Sequence, residues 1–148
     1  MDATPPSGVR WGRVKHEAGR AGKFDDGSSE IIAACIEVHR HLGPGLLESA
    51  YELSLCQELS LRGMRFERQR ELPLVYKGAN LDCGYRLDVV VNETLIVEIK
   101  AVERLLPVHE AQVLTYLRLT GLRAGLLVNF RVATLRDGLR RLTYNPDQ

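Results

Sequence analysis

Nowhere does this chain carry an apolar run near the roughly 20 residues that a membrane-crossing helix needs, so no span is expected. Its three cysteines, Cys35, Cys56 and Cys83, are odd in number and form no CxxC pair. That excludes a disulfide framework and leads to an expectation of reduced thiols in a cytoplasmic protein. Charge is nearly balanced, with 20 Lys and Arg against 19 Asp and Glu and a formal net charge of +1. Without a global positive field, any surface for a polyanion must be local. The opening residues lack the apolar core of a secretory signal, and Asp2, Glu17, Asp25 and Asp26 do not suit an acid-poor transit peptide.

What is present is an ordinary globular balance: 148 residues, 45% hydrophobic and 26% charged, enough for the core of one domain. Residues 1–27 carry Pro5, Pro6, several glycines and charge of both signs, and read as a flexible leader ahead of a single domain over 28–148. Ser28 or Ser29 would cap a first helix carrying Ile31, Cys35, Val38 and Leu42, with Gly43 as its stop. A second helix is expected from about Gly45 to Gly63, with Leu47, Tyr51, Leu55 and Leu59 in one row. Strands are expected over about 65–76, 82–91 and 95–100. A helix over about 108–120 and a strand over 124–128 follow, and the tail from Val132 to Tyr144 fits either helix or strand. Antiparallel strands followed by a crossover helix and a further strand make an α/β fold, a mixed sheet flanked by helices.

The most informative stretch is DVVVNETLIVEIK, from Asp88 to Lys100. In a strand, side chains two apart share a face, so Glu98 and Lys100 stand together while Leu95, Val97 and Ile99 face the other way. Charges are rarely buried unless paired or bound to a metal. The hairpin register decides what Asp88 does. A two-residue loop of Asn92 and Glu93 sets Asp88 against Val97; a three-residue loop that includes Thr94 sets it against Glu98. Asn-Glu lacks the glycine that two-residue turns favour, which speaks for the longer loop. Two carboxylates would then suit a hard cation such as Mg²⁺, with Mn²⁺ as the alternative and the carbonyl of Ile99 as a third ligand. Lys100 would orient or deprotonate the attacking water. The competing reading is a surface ion pair of Glu98 with Lys100.

Two more pairs stand at helical spacing. Glu48 and Tyr51 are three apart, and Gln112 and Tyr116 four apart, so each pair would share a face. The plainer readings are an acid in a first helical turn and the polar edge of an amphipathic helix. His39 and His41 near a helix C-terminus read as favourable cations there. The group Arg62, Arg65, Arg68 and Arg70, and the pair Arg140 and Arg141, fit either a phosphate backbone or a solvated surface of mixed charge.

Together these segments resemble a known family. GLLESAY at 45–51 matches the GxxExxY signature of the GxxExxY protein family, which belongs to the PD-(D/E)xK nuclease superfamily. The resemblance runs from about residue 30 to 143. It takes in Leu87-Asp88, EIK at 98–100, HEAQVLTYL at 109–117 and GLLVNF at 125–130, with Leu87 where proline often stands. It implies a restriction-endonuclease-like core and a metal-dependent nuclease acting on DNA or RNA. Asp88 and Glu98 would hold the metal and Lys100 would assist the water. Glu48 would be an auxiliary acid reaching the metal through water, or would hold Lys100 until substrate arrives. Gln112 and Tyr116, similar to the QxxxY motif of RecB-type nucleases, would lie beside the site. The rival expectation is a binding or regulatory module on the same fold that cuts nothing. A homodimer is expected by the same analogy.

Overall fold

In the computed structural model, residues 15–18, as backbone, and 27–146 are described. The elements run β1 (Lys15–Ala18), α1 (Ser28–Leu42), α2 (Glu48–Leu61), β2 (Phe66–Glu71), β3 (Leu74–Tyr76), β4 (Ala79–Leu81), β5 (Arg86–Val91), β6 (Leu95–Lys100), α3 (Pro107–Thr120), β7 (Ala124–Asn129) and β8 (Leu139–Thr143). Six strands form one mixed sheet in the order β1-β8-β7-β6-β5-β2; β3 and β4 form a separate hairpin. β6 is antiparallel to β5 and parallel to β7, with α3 as the crossover between them. This is the α/β mixed sheet that the order of elements implied and the restriction-endonuclease-like core that the resemblance implied.

Each face of the sheet buries its own core. On one, Val89, Val91, Leu95 and Val97 pack with Ile31, Ile32 and Cys35 of α1 and Leu55 and Leu59 of α2. On the other, Val90, Ile96 and Leu127 pack with Val113, Leu114 and Leu117 of α3. The alternation along β5 and β6 therefore feeds both cores, as expected of central strands covered on both sides. Gly125 sets the spacing on the α3 side: a Cβ there would lie 2.8 Å from Val113 Cγ1, so the helix packs as closely as β7 allows. Among the described residues, no helix is long and apolar enough to cross a membrane.

Several boundaries differ from the sequence reading. The strand expected over 65–76 is two strands, broken at Pro73, whose missing N–H cannot continue a ladder. Leu74–Tyr76 instead turns back through Lys77 and Gly78, both at positive φ (48° and 84°), to pair with Ala79–Leu81. The segment expected as strand over 82–91 starts its sheet pairing only at Arg86. α2 begins at Glu48, leaving Gly45 in the loop before it. The first helix starts one residue past Gly27, so Ser28 is its first turn and not a side-chain cap; its hydroxyl accepts from Arg141 Nε at 3.2 Å. The ambiguous tail resolves into a 3-10 turn, Leu135–Gly138, and strand β8. Most of the leader expected over 1–27 lies outside the described residues. Within it, Lys15–Ala18 is an edge strand paired with Arg140–Thr143, where only weak packing was expected.

Candidate active site

The hairpin connecting β5 and β6 uses the three-residue loop. Val91 pairs with Leu95, Val90 with Ile96 and Val89 with Val97, so Asp88 comes opposite Glu98. Asn92 and Glu93 both sit at positive φ (52° and 54°), uncommon for residues with a side chain. Anchors hold them there. Asn92 N–H donates to the Arg65 carbonyl (2.9 Å), Asn92 Oδ1 accepts from Arg65 N–H (3.2 Å), and Glu93 pairs with Arg70.

Beyond Val89 and Val97 the backbone ladder gives way to side chains. Ile99 N–H donates to Asp88 Oδ2 at 2.9 Å, and Asp88 N–H donates to Glu98 Oε1 at 3.1 Å. The two carboxylates thus accept where ladder carbonyls otherwise would. Strict alternation also fails at Asp88: Leu87 and Val90 lie in one core and Val89 and Val91 in the other. Residues in a strand point N–H and C=O to the same side. The Ile99 carbonyl therefore faces β5 and the carboxylates, whereas the Lys100 carbonyl faces β7 and accepts from Phe130 N–H at 2.9 Å.

Glu98 is only 3% exposed and Asp88 is half-buried. Burial, and next the charge of Asp88, push the Glu98 carboxyl up to about 8. The donated Asp88 N–H and the Lys100 ammonium oppose that rise and are outweighed. A buried acid beside a second acid has an unmet demand for positive charge. Lys100 does not meet it with a salt bridge. Its ammonium donates to Gln112 Oε1 at 3.0 Å, and Gln112 Nε2 donates to the Tyr116 hydroxyl at 2.7 Å. The surface ion pair of Glu98 with Lys100 is therefore not the arrangement. Nor is Lys100 held by Glu48: the residue that reaches it comes from α3, across the face that Ile96, Glu98 and Lys100 share.

Glu48 and Tyr51 part company. Tyr51 is fully buried, stacked on Phe130 with centroids 4.5 Å apart, and its hydroxyl donates to the Gly43 carbonyl and accepts Leu46 N–H at 3.0 Å. It pins the loop between α1 and α2. Glu48 stays exposed on the rim, lining a groove with Ala101, Val102 and Arg131. Among the described residues, no three or more His, Cys, Asp or Glu side chains converge as a metal cage, so Glu48 does not complete a three-acid cluster with Asp88 and Glu98.

The acid of α2 that is wired to the site is Glu52, one turn on, which the sequence reading passed over. It is buried, paired with Arg68 Nε at 2.6 Å, and accepts Gln69 Nε2 at 2.7 Å. The same Gln69 nitrogen reaches Asp88 Oδ1 at 3.4 Å. Gln69 lies in β2 directly across from Asp88, between the pairs Arg68–Val89 and Arg70–Leu87, at a φ of 55°. Its left-handed backbone was invisible in sequence; the one available signal was a buried-side Glu, Glu52, on an otherwise apolar helix stripe. Burial, then the Asp88 charge, raises Glu52 above the usual carboxylate range.

The histidines and three of the four clustered arginines have partners within the fold. His39 Nε2 donates to the Val132 carbonyl (2.8 Å) and His41 pairs with Glu37 (2.9 Å). Arg62, Arg68 and Arg70 each hold an acid: Glu58, Glu52, and Glu67 with Glu93. The side chain of His109 accepts Leu106 N–H on Nδ1 at 2.9 Å and so caps α3. Burial and the Lys100 charge keep its ring below the usual imidazole range.

Residues 25–142 match the family model described as the PD-(D/E)XK nuclease superfamily. Neither the curated proteins nor the solved structures gave a significant match.

Proposed function

Because this chain belongs to the PD-(D/E)XK nuclease superfamily, we propose that it hydrolyses phosphodiester bonds of DNA or RNA with a divalent cation, Mg²⁺ or Mn²⁺. The observation that carries the proposal is the open end of the β5–β6 hairpin, where Glu98 is buried against Asp88 and, among the described residues, neither carboxylate has a salt bridge. Two carboxylates and the Ile99 carbonyl are hard oxygen donors. They fit a cation that keeps several of its waters and needs few protein ligands. When bound, such a cation supplies Lewis acidity for the phosphoryl oxygens and acidifies nearby water.

In this reading the chain's own residues divide the work. Asp88 and Glu98 bind, each fixed by a backbone N–H from the opposite strand. Lys100, steered by Gln112, presents its ammonium to the scissile phosphate or the attacking water. Tyr116 fixes the Gln112 amide, and Gln69 turns the Asp88 carboxylate. Glu48 acts from the rim, through water. Placement within the GxxExxY family rests on GLLESAY and is part of the proposal, as is pairing into a homodimer.

The test is cleavage of labelled single- and double-stranded DNA and RNA with Mg²⁺ and Mn²⁺, comparing wild type with Asp88→Ala and Lys100→Ala. Both variants should lose at least a hundredfold in rate while keeping the wild-type circular dichroism. Equal cleavage by all three proteins would mean a contaminating nuclease.

A further inference from the structure

Beside the carboxylates lies a cavity of about 500 Å³, within the range of small-ligand sites. Its inner end is Gln112, the residue that holds Lys100, and Tyr116, whose hydroxyl is near enough to feel Glu98 and Asp88. Its walls are apolar and aromatic: Leu72 and Leu74 around the β2–β3 connection, Tyr85 ahead of β5, and Val108 and Leu119 from α3. Tyr85 is 50% exposed and Val108 64% exposed, so the apolar surface is open to solvent. None of the lining residues is Lys or Arg.

That lining is wrong for a sugar-phosphate backbone, which is bound by cations. It is right for a flat, weakly polar ring that stacks on an aromatic side chain and reaches a few hydrogen-bonding groups. His109 and Thr115 join Gln112 as those groups. A phosphate held at Asp88, Glu98 and Lys100 would have its neighbouring nucleoside at the mouth of this cavity. Resting on the nuclease reading above, we propose that the cavity takes an unpaired nucleobase next to the scissile phosphate. The preferred substrate is then a single strand, an end or a loop. A base inside a duplex would first have to leave its stack, at a cost in affinity.

The experiment measures binding of a short phosphorothioate strand, which resists cleavage, and of the same sequence as a duplex. Fluorescence anisotropy with Mg²⁺ at one fixed salt concentration reads both, in DNA and RNA versions. The proposal expects the strand to bind at least about tenfold tighter than the duplex, since one stacked base contributes on that order. Tyr85→Ala should erase the preference and Tyr85→Phe should keep it, with Mg²⁺ affinity unchanged in both. Equal affinity for strand and duplex, or a preference that survives Tyr85→Ala, overturns the base pocket and leaves the nuclease reading intact. Binding of neither polymer, with Mg²⁺ still bound, overturns both. If Tyr85→Ala instead converts a dimer to a monomer in light scattering with oligonucleotide affinity unchanged, the cavity is a self-association face and the proposal is overturned.

Discussion

The two ends of the β5–β6 hairpin are built from the same strands and do opposite things. At the closed end, Val89, Val90, Val91, Leu95, Ile96 and Val97 are at most 1% exposed, pair through the backbone, and fill two cores at once. At the open end, one residue further, Asp88 and Glu98 take over the hydrogen bonds that backbone carbonyls would have made. The closed end gains stability from every atom it buries. The open end buries a pair of acids, which costs stability. The difference teaches that the site is held in place by the stability of its own continuation: the valine ladder positions two acids that would otherwise repel each other apart.

Substitutions at adjacent positions break this comparison most sharply. Val97→Asp places a carboxylate in the α1–α2 core with no partner, and should cost more than about 4 kcal/mol. Urea denaturation or loss of the circular dichroism signal reads it. Glu98→Gln, the next residue, should leave the folded signal unchanged. Near-native stability in Val97→Asp would show that the closed end is not the anchor.

The pH dependence sharpens it further. The folded Glu98 carboxyl, at about 8, lies above its ordinary value of 4.5. A raised acid contributes stability that is fully present below the lower value and is lost as pH rises toward the higher one. Metal-free protein should therefore lose on the order of a few kcal/mol between about pH 4.5 and pH 8. Glu98→Gln should flatten that slope, and denaturation midpoints across the range check it. An unchanged slope in Glu98→Gln would mean that another group carries the titration.

The smallest of these effects concerns the residue across from Asp88. Gln69→Leu removes the amide shared by Glu52 and Asp88, and should cost about 1–2 kcal/mol through the acceptor left unpaired on buried Glu52. It should also weaken Mg²⁺ binding severalfold, as Asp88 loses a lateral contact. Wild-type stability together with wild-type Mg²⁺ affinity would remove Gln69 from the account.

How much of this was legible in sequence follows from how local each cause is. Glu98 and Lys100 on one face needed only the two-residue period of a strand. Asp88 opposite Glu98 followed from loop length, and the three-residue loop is what forms. Asn92 and Glu93, however, adopt the left-handed conformation without glycine, held by Arg65 and Arg70 from more than 20 residues away, which turn chemistry alone does not give. The Lys77-Gly78 hairpin and the break at Pro73 carried local signals that a single strand over 65–76 overrode. Glu52 was barely legible: its partners Arg68 and Gln69 are 16 and 17 residues on, and only its place on the apolar stripe of Tyr51, Leu55, Cys56 and Leu59 sets it apart from a solvated acid. Glu48 was the more visible acid because it sits in a signature, yet it lies on the rim. The hold of Gln112 on Lys100 likewise depends on where α3 crosses the sheet, which spacing alone does not give.

The most direct test of the central claim, that the open end is built to receive a cation, is a calorimetric titration of Mg²⁺ and Mn²⁺ into wild type and Asp88→Asn at pH 7 and pH 8. Asparagine keeps an acceptor for Ile99 N–H and removes the charge. The account predicts binding by wild type, tighter at pH 8 because fewer protons must leave Glu98, and at least about a tenfold loss in Asp88→Asn. Binding of equal strength by the two proteins would contradict it.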